Sequence, residues 1–504
     1  MGAVTLFLLP GLAGVLLWLW RPSLAASRTT ALGVAGLCVL GALGVLLESA
    51  AGGPLRQGFG GWPAPFGIEF VVDRLGALFV VLQAVLLFVT LLALRGESHG
   101  EQTLRRAHPL LLLLTLGLFG AFMTGDLFNL FVMFELVLVC SYLLLQVPGT
   151  HRSGVAALPA VIVNLVASLL FLGGLGLLYA ICGSLNLADL SQQIAAAPAE
   201  LRRAALAMLI VAFATKAALV PLCFWMPATY PTPSAPLAAL FAGIMTKLGV
   251  YALLRLVPLL AHDPLLSELL LWAGGLSALL GVLAALAQYE LRRLLAFHSV
   301  SQVGYMVIGL ALMTASGVAA AIFFALHHSL VKSALYFVAD ELERGNATRD
   351  LRQMDFRRLP GALLATCFGA AAFSLAGLPP FSGFFGKLSV FGASLEEGAW
   401  GALAMAVAAS VFTLASMLKI WRFAFQRGPV EGSTEERGAR PPSARAPRRS
   451  AIATMLALVL ALGLGAGPAY RFSEAAAIEL LGAYHAAEEP AAPHSQHLAM
   501  EVTR

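Results

Sequence analysis

The sequence predicts an all-α polytopic membrane protein with about 14 transmembrane helices, and three observations carry that reading. Of its 504 residues 59% are hydrophobic and only 12% charged, with a mean hydropathy of +0.84; soluble domains carry roughly 25% charged residues. Uninterrupted apolar runs at 110–123, 126–147, 155–182 and 451–468 approach or exceed the roughly 20 residues that cross hydrocarbon as a helix, and none alternates with the period of a barrel strand. The basic residues are also segregated. All five lysines (Lys216, Lys247, Lys332, Lys387 and Lys419) lie in apolar stretches, while the 27 arginines mostly mark polar loops. Arg stays charged under essentially any condition, whereas a desolvated Lys can lose its proton near neutral pH.

The fourteen spans read, in order, roughly 1–20, 31–48, 75–94, 108–124, 126–147, 155–182, 203–223, 235–260, 265–288, 294–313, 317–339, 362–395, 401–424 and 451–468. The first has no basic n-region and no small-residue cleavage site after it, so it reads as a retained helix and not a removed signal peptide. Asp126 and Asn129, just after Gly125, read as helix caps more than as ion ligands. The segment 362–395 is too long and too proline-broken for one straight helix. Residues 427–450, rich in Arg, Pro, Gly and Ser, read as a flexible basic linker that anionic headgroups attract. The tail 469–504 lacks a span, and lies either along the outer surface or against a partner. Between alternate loops the arginines divide twenty to seven, so the positive-inside rule sets both termini outside the cytoplasm. The pI near 9.0 therefore reflects topology, and nucleic acid is not an expected partner. Five scattered cysteines without a C-x-x-C pair read as core residues. No cofactor or metal is expected, since the chain has no cysteine ligand set, haem motif or G-x-G-x-x-G after a strand.

A charge at mid-bilayer costs at least about 2.5–3.5 kcal/mol, so each intramembrane ionisable residue is a functional candidate whose partner must be found. Glu135 lies about nine residues, or roughly 13 Å, into its span, and Lys216 is similarly deep. On neighbouring helices the two would lower each other's insertion cost, either as a static pair or as the first station of a proton path. Lys247, His298, His327, His328, Lys332 and Lys387 follow on later spans, and such a row favours a path. His328 and Lys332, four residues apart, share a helix face and can exchange a proton directly or through one water. His327 points about 100° away and reads as a packing or hydrogen-bonding residue. His298, Gln302 and Tyr305 form one stripe, either a polar seam or part of the relay. Pro221 follows Lys216, and Pro379 and Pro380 precede Lys387. Prolines at membrane depth need protein or water to satisfy the freed backbone, and two such breaks in corresponding halves indicate an inverted-repeat transporter. The proline-rich 230–236 is either a fixed connection or the lining of a water inlet. Lys419, near a helix end, reads as a snorkelling anchor.

The segments DLFNLFVMFELVLVCSYLLL, FHSVSQVGYM, HHSLVKSALYF and LPPFSGFFGKL resemble the antiporter-like subunit family shared by Mrp-type cation/proton antiporters, respiratory complex I and membrane-bound hydrogenases. Within it, the chain is most similar to the D-type subunits of Mrp antiporters. The resemblance runs from about residue 60 to 425. It implies fourteen helices with two inverted five-helix repeats, each holding a broken helix. On this frame 1–107 holds three N-terminal helices, 108–260 the first repeat and 265–425 the second, followed by the 427–450 linker, the 451–468 span and the 469–504 tail. Glu135 and Lys216 match the family's carboxylate–lysine pair, Lys247 its bridging lysine and Lys387 its terminal site. Complex I subunits of this type usually carry Glu at the Lys387 position and Ser-Ser-x-Ser-His where this chain has His298-Ser-Val-Ser-Gln302. The longest complex I relative also has a lateral helix, for which the short tail leaves no room. The resemblance thus implies a proton-translocating subunit of a Na⁺/H⁺ antiporter, not an enzyme, working with other membrane subunits in the bilayer of a bacterial-type cell (inner) membrane. Its rivals are a proton-pumping subunit of a redox complex and an assembly scaffold.

Overall fold

The structure is a computed structural model that describes residues 2–60, 62, 66–95, 100–147, 151–355, 362–426, 428 and 446–485. Among these the helices are α1 (Ala3–Trp20), α2 (Leu24–Gly52), α3 (Arg74–Leu94), α4 (Glu101–Met123), α5 (Leu127–Gln146), α6 (His151–Cys182), α7 (Leu187–Gln193), α8 (Ala199–Ala217), α9 (Trp225–Thr229), α10 (Ala235–Leu260), α11 (Pro264–Ala287), α12 (Leu291–Ala311), α13 (Ala315–Asn346), α14 (Ala362–Ala376), α15 (Ser382–Glu396), α16 (Trp400–Trp421), α17 (Ala446–Leu464) and α18 (Ala466–His485). Strands β1 (Leu55–Gly58) and β2 (Glu69–Val72) pair antiparallel, with Leu55 opposite Val72, in the connection from α2 to α3.

Caps start many of these helices. The Asp126 carboxylate accepts from Asn129 N at 2.7 Å, and the Asn129 amide donates to Thr124 Oγ1 at 3.0 Å, so both residues serve the start of α5 as the sequence suggests. Asp263 and Thr314 cap α11 and α13 in the same way. The outward faces of α1, α2, α6, α11 and α16 carry Leu12, Leu40, Leu169, Leu269 and Val411, each more than half exposed, as lipid-facing helices require. α10, α12 and α13 are almost wholly buried, and α13 forms the centre, packed by α10, α12, α14, α15, α17 and α18.

Among the described residues eleven helices are long and apolar enough to cross a membrane, or up to twelve if α17 and α18, bent by 78°, are one span. This falls short of the expected count of about 14. The helices at the proline breaks do not qualify alone: α14 and α15 have 15 residues each, and α8 carries Glu200, Arg202, Arg203 and Lys216 within 19. The expected linker and distal tail lie largely outside the described residues. Within the segment read as lying along the outer surface or against a partner, residues 466–485 form α18, which packs on α13 and α3. Glu479 of α18 accepts from Arg74 N at 3.3 Å and from Arg74 Nη1 at 3.0 Å, holding the first turn of α3.

Two of the described arginines, Arg255 and Arg292, are buried within the bundle. Arg255 on α10 makes a two-point pair with Asp73, the cap of α3, at 2.5 and 2.7 Å, and also donates to Tyr251 Oη, which in turn donates to Phe122 O. Arg292 on α12 holds Glu343 of α13 at 2.7 Å and Asp340 at 3.4 Å. Its Nη1 also donates to Pro233 O at 2.8 Å, while Arg349 Nη1 donates to Pro231 O at 2.9 Å. The proline-rich 230–236 is therefore a fixed connection, pinned by arginines of the second half.

Asp73→Ala leaves the Arg255 guanidinium buried without its counter-charge and is expected to cost about 3–5 kcal/mol, seen as a lower melting temperature in detergent. Asp73→Asn with Arg255→Met, which keeps the cap and removes the charge, should recover most of the loss. A side chain at Gly249 of α10 would strike the Lys216–Ala217 backbone of α8. Gly249→Val is accordingly expected to reduce the yield of folded protein far more than Gly392→Val, where the space is open.

Candidate functional site

The first break follows α8. Its last residues, Lys216 and Ala217, give way to a left-handed Ala218 and a turn that includes Pro221 after a cis peptide. The polar groups released there find protein partners: Trp225 Nε1 donates to Thr215 O at 3.0 Å, and Val220 N donates to Ser277 Oγ at 2.9 Å. Lys216, 4% exposed, turns toward α6, where Nζ donates to Asn164 O at 3.2 Å and to Ser168 Oγ at 3.1 Å. Ser168 donates in turn to Glu135 Oε1 of α5 at 2.5 Å. Glu135 and Lys216 are therefore neighbours, as the sequence suggests, but a hydroxyl stands between them and they form no direct salt bridge.

The second break separates α14 from α15 at residues 377–381, with Pro379 and Pro380 joined by a cis peptide. Lys387 lies on the helix after the break, whereas Lys216 lies on the helix before it. Lys387 Nζ reaches back to Ala376 O, at the freed C-terminal end of α14, at 2.8 Å, and to Ser410 Oγ of α16 at 3.0 Å. Helix C-termini favour cations. The Tyr305 ring lies 5.3 Å from the same nitrogen. Tyr305 thus adjoins Lys387, and its hydroxyl donates to Ala406 O at 2.7 Å.

Between the breaks lies a buried column on α10, α12 and α13. Lys247 donates to Ala242 O of its own helix at 2.6 Å. His328 lies near Lys247 and Lys332, His298 near Lys332 and Lys387, and His327 near Lys387 and Lys247. His298 Nε2 pairs with Ser416 Oγ at 2.8 Å, and His327 Nδ1 pairs with Ser382 Oγ at 2.8 Å, at the start of α15. The hydrogen-bonding role read for His327 is what this contact performs. His328 and Lys332 share a face but are not hydrogen-bonded to each other. Both ring nitrogens of His328, Lys332 Nζ, both amide atoms of Gln302 and Thr246 Oγ1 meet no protein partner. Buried groups of this kind recruit water.

Lys419 is a clamp more than a snorkelling anchor. It donates to Leu286 O at 2.7 Å and Gln288 O at 2.6 Å, at the end of α11, with its nitrogen 3.8 Å from the centre of the Tyr289 ring. The sequence reading missed the serines. Ser168, Ser382, Ser410 and Ser416 each contact one of the buried cations or histidines. The available signal was slight: isolated hydroxyls on apolar spans, with Asn164 and Ser168 one helical turn apart.

Residues 124–413 match the family described as "NADH:quinone oxidoreductase/Mrp antiporter, TM". The chain is 36% identical to the D subunit of the Na(+)/H(+) antiporter of Alkalihalophilus pseudofirmus, covering 94% of this chain and 96% of the relative. It is 33% identical to the D subunit of the Na(+)/H(+) antiporter of Bacillus subtilis, covering 91% and 92%. Among solved structures, a chain of the Mrp complex from Dietzia sp. superposes with a TM-score of 0.87 at 30% identity, over 96% of this chain and 99% of that one. A chain of respiratory complex I from Thermus thermophilus superposes with a TM-score of 0.81 at 26% identity, over 95% and 100%. The chain belongs to the NADH:quinone oxidoreductase/Mrp antiporter transmembrane family.

Proposed function

We propose that this protein is the proton-translocating subunit of a multisubunit monovalent cation (Na⁺)/H⁺ antiporter. It is a transporter subunit and not an enzyme, and it works with other membrane subunits. The observation that carries the reading is a lysine at each helix break with a buried column of lysine and histidine between them. The higher identity to the D subunits of Na⁺/H⁺ antiporters than to the complex I chain favours gradient-driven exchange over redox-driven pumping.

In this reading a proton enters at Glu135 and Lys216, passes Lys247 and the His328/Lys332 pair, and leaves or is stored at Lys387. His298, Gln302, His327 and Tyr305 support the path, and water joins the stations that do not touch. Pro221, Pro379 and Pro380 interrupt the helices that carry its ends. Residues 108–260 and 265–425 act as its two repeats. The chain spans a bacterial-type cell (inner) membrane many times, with both termini outside the cytoplasm. One charge crossing 100 mV gains about 2.3 kcal/mol, comparable with the roughly 1.4 kcal/mol of one pKa unit, so modest rearrangement is enough to load or unload a station.

In vesicles carrying the assembled complex, Glu135→Ala and Lys216→Ala are expected to abolish Na⁺-driven proton movement, while Arg105→Ala leaves it intact. Normal exchange by assembled Lys216→Ala complexes would refute the relay. Arginine at Lys216, Lys247, Lys332 or Lys387 keeps the charge but does not release a proton at working pH. Each of these variants should assemble and lose exchange by about 100-fold or more; wild-type rates in them would leave the lysines a purely electrostatic role.

A further inference from the structure

We propose that Ser168 carries the proton between Glu135 and Lys216, so that the two exchange it through one hydroxyl and not by direct contact. The inference rests on the relay described above. A serine hydroxyl has one hydrogen and two lone pairs, and both kinds of contact are made here at once. Ser168 Oγ donates to Glu135 Oε1 at 2.5 Å while accepting from Lys216 Nζ at 3.1 Å. Transfer along this line balances without any other reactant. One N–H bond of the Lys216 ammonium breaks as its proton bonds to Ser168 Oγ, while the serine's own O–H breaks and its proton bonds to Glu135 Oε1. Ammonium and carboxylate become amine and carboxylic acid, the hydroxyl is restored, and the reverse step regenerates the ion pair.

Two further features separate this role from packing. A serine on an apolar helix ordinarily returns its hydrogen to the carbonyl four residues back, as Ser277, Ser329 and Ser394 do here with Ala273, Ala325 and Val390. For Ser168 that carbonyl is Asn164 O, and Lys216 occupies it instead. Ser168 is thereby turned off its own helix and onto Glu135. The same three helices also carry a buried aromatic cluster close in sequence to the bridge. Phe134 adjoins Glu135, Phe171 lies one turn from Ser168 and Phe213 one turn from Lys216; their ring centres are 4.7–5.8 Å apart and all three are buried. Ser168 Oγ is the contact that joins Glu135, which is partly exposed, to Lys216, which is buried. At the second break Ser410 also accepts from Lys387, but it donates to Ala376 O at 3.3 Å and reaches no carboxylate. The proton-bearing bridge is therefore specific to the first break.

The test uses the whole complex in vesicles, with assembly verified for each variant and Na⁺-driven proton movement followed across pH. Ser168→Ala is expected to slow exchange about tenfold or more, as expected for a lost hydrogen bond to charged groups, and to change the pH profile. Ser168→Thr, which keeps the hydroxyl, should restore both rate and profile. Wild-type rate and pH profile in Ser168→Ala overturn the proposal, and so does equal loss in Ser168→Ala and Ser168→Thr, which assigns a packing role. Lys216→Ala run alongside keeps the two readings apart. If it exchanges normally the relay itself fails, whereas if it is inactive and Ser168→Ala is normal, only the hydroxyl bridge fails.

Discussion

An ammonium inside an apolar bundle must find acceptors for its hydrogens, and the architecture around the candidate path follows from that constraint. An unbroken helix offers few, because its carbonyls are engaged four residues on. Lys387 takes its acceptor from the end of α14, where the break has freed Ala376 O. Lys216 takes Asn164 O from α6, displacing the local bond that Ser168 would otherwise make. In both places a serine hydroxyl completes the shell. The breaks are therefore part of how the protein keeps a titratable cation at membrane depth.

Holding such breaks in place requires rigidity around them, and permanent charge supplies it. Asp73 and Arg255 tie α3 to α10, and through Tyr251 to the end of α4. Arg292 ties α12 to α13 and to the proline-rich connection ahead of α10. α18 holds the first turn of α3 through Glu479, while Gly463 of α17 packs closely on the backbone at Pro380–Ser382. Arginine suits these positions because its charge does not titrate and its fork matches carboxylates at two points. Paired arginines thus fix α10, α12 and α13, the same helices that carry the buried lysines and histidines.

Within the interior column some groups lack the protein partners found at both breaks. His328, Lys332 and Gln302 are fully buried, and their polar atoms are unmatched, which in a static core would be costly. Buried polar groups of this kind are ordinarily satisfied by water.

Much of the fold was legible in the sequence because hydrocarbon imposes a strong and local rule. Apolar runs of sufficient length become helices, prolines interrupt them, Asp126 begins one, and buried ionisable residues stand out against the composition. Where the rule weakens, so did the reading. The helices at the breaks are too short or too polar to be counted as spans alone, and α18 carries enough polar residues to pass for a surface tail. The sequence also pairs Glu135 with Lys216 by depth, but depth along a helix contains no information about what lies between two helices. That Ser168 stands there, that Arg255 is buried against Asp73, and that His327 is bonded to Ser382 were decided by tertiary packing. A hydroxyl or a guanidinium acquires its role from the groups other helices bring within three ångströms or so, whereas the hydrophobicity of a span is a property of the span itself.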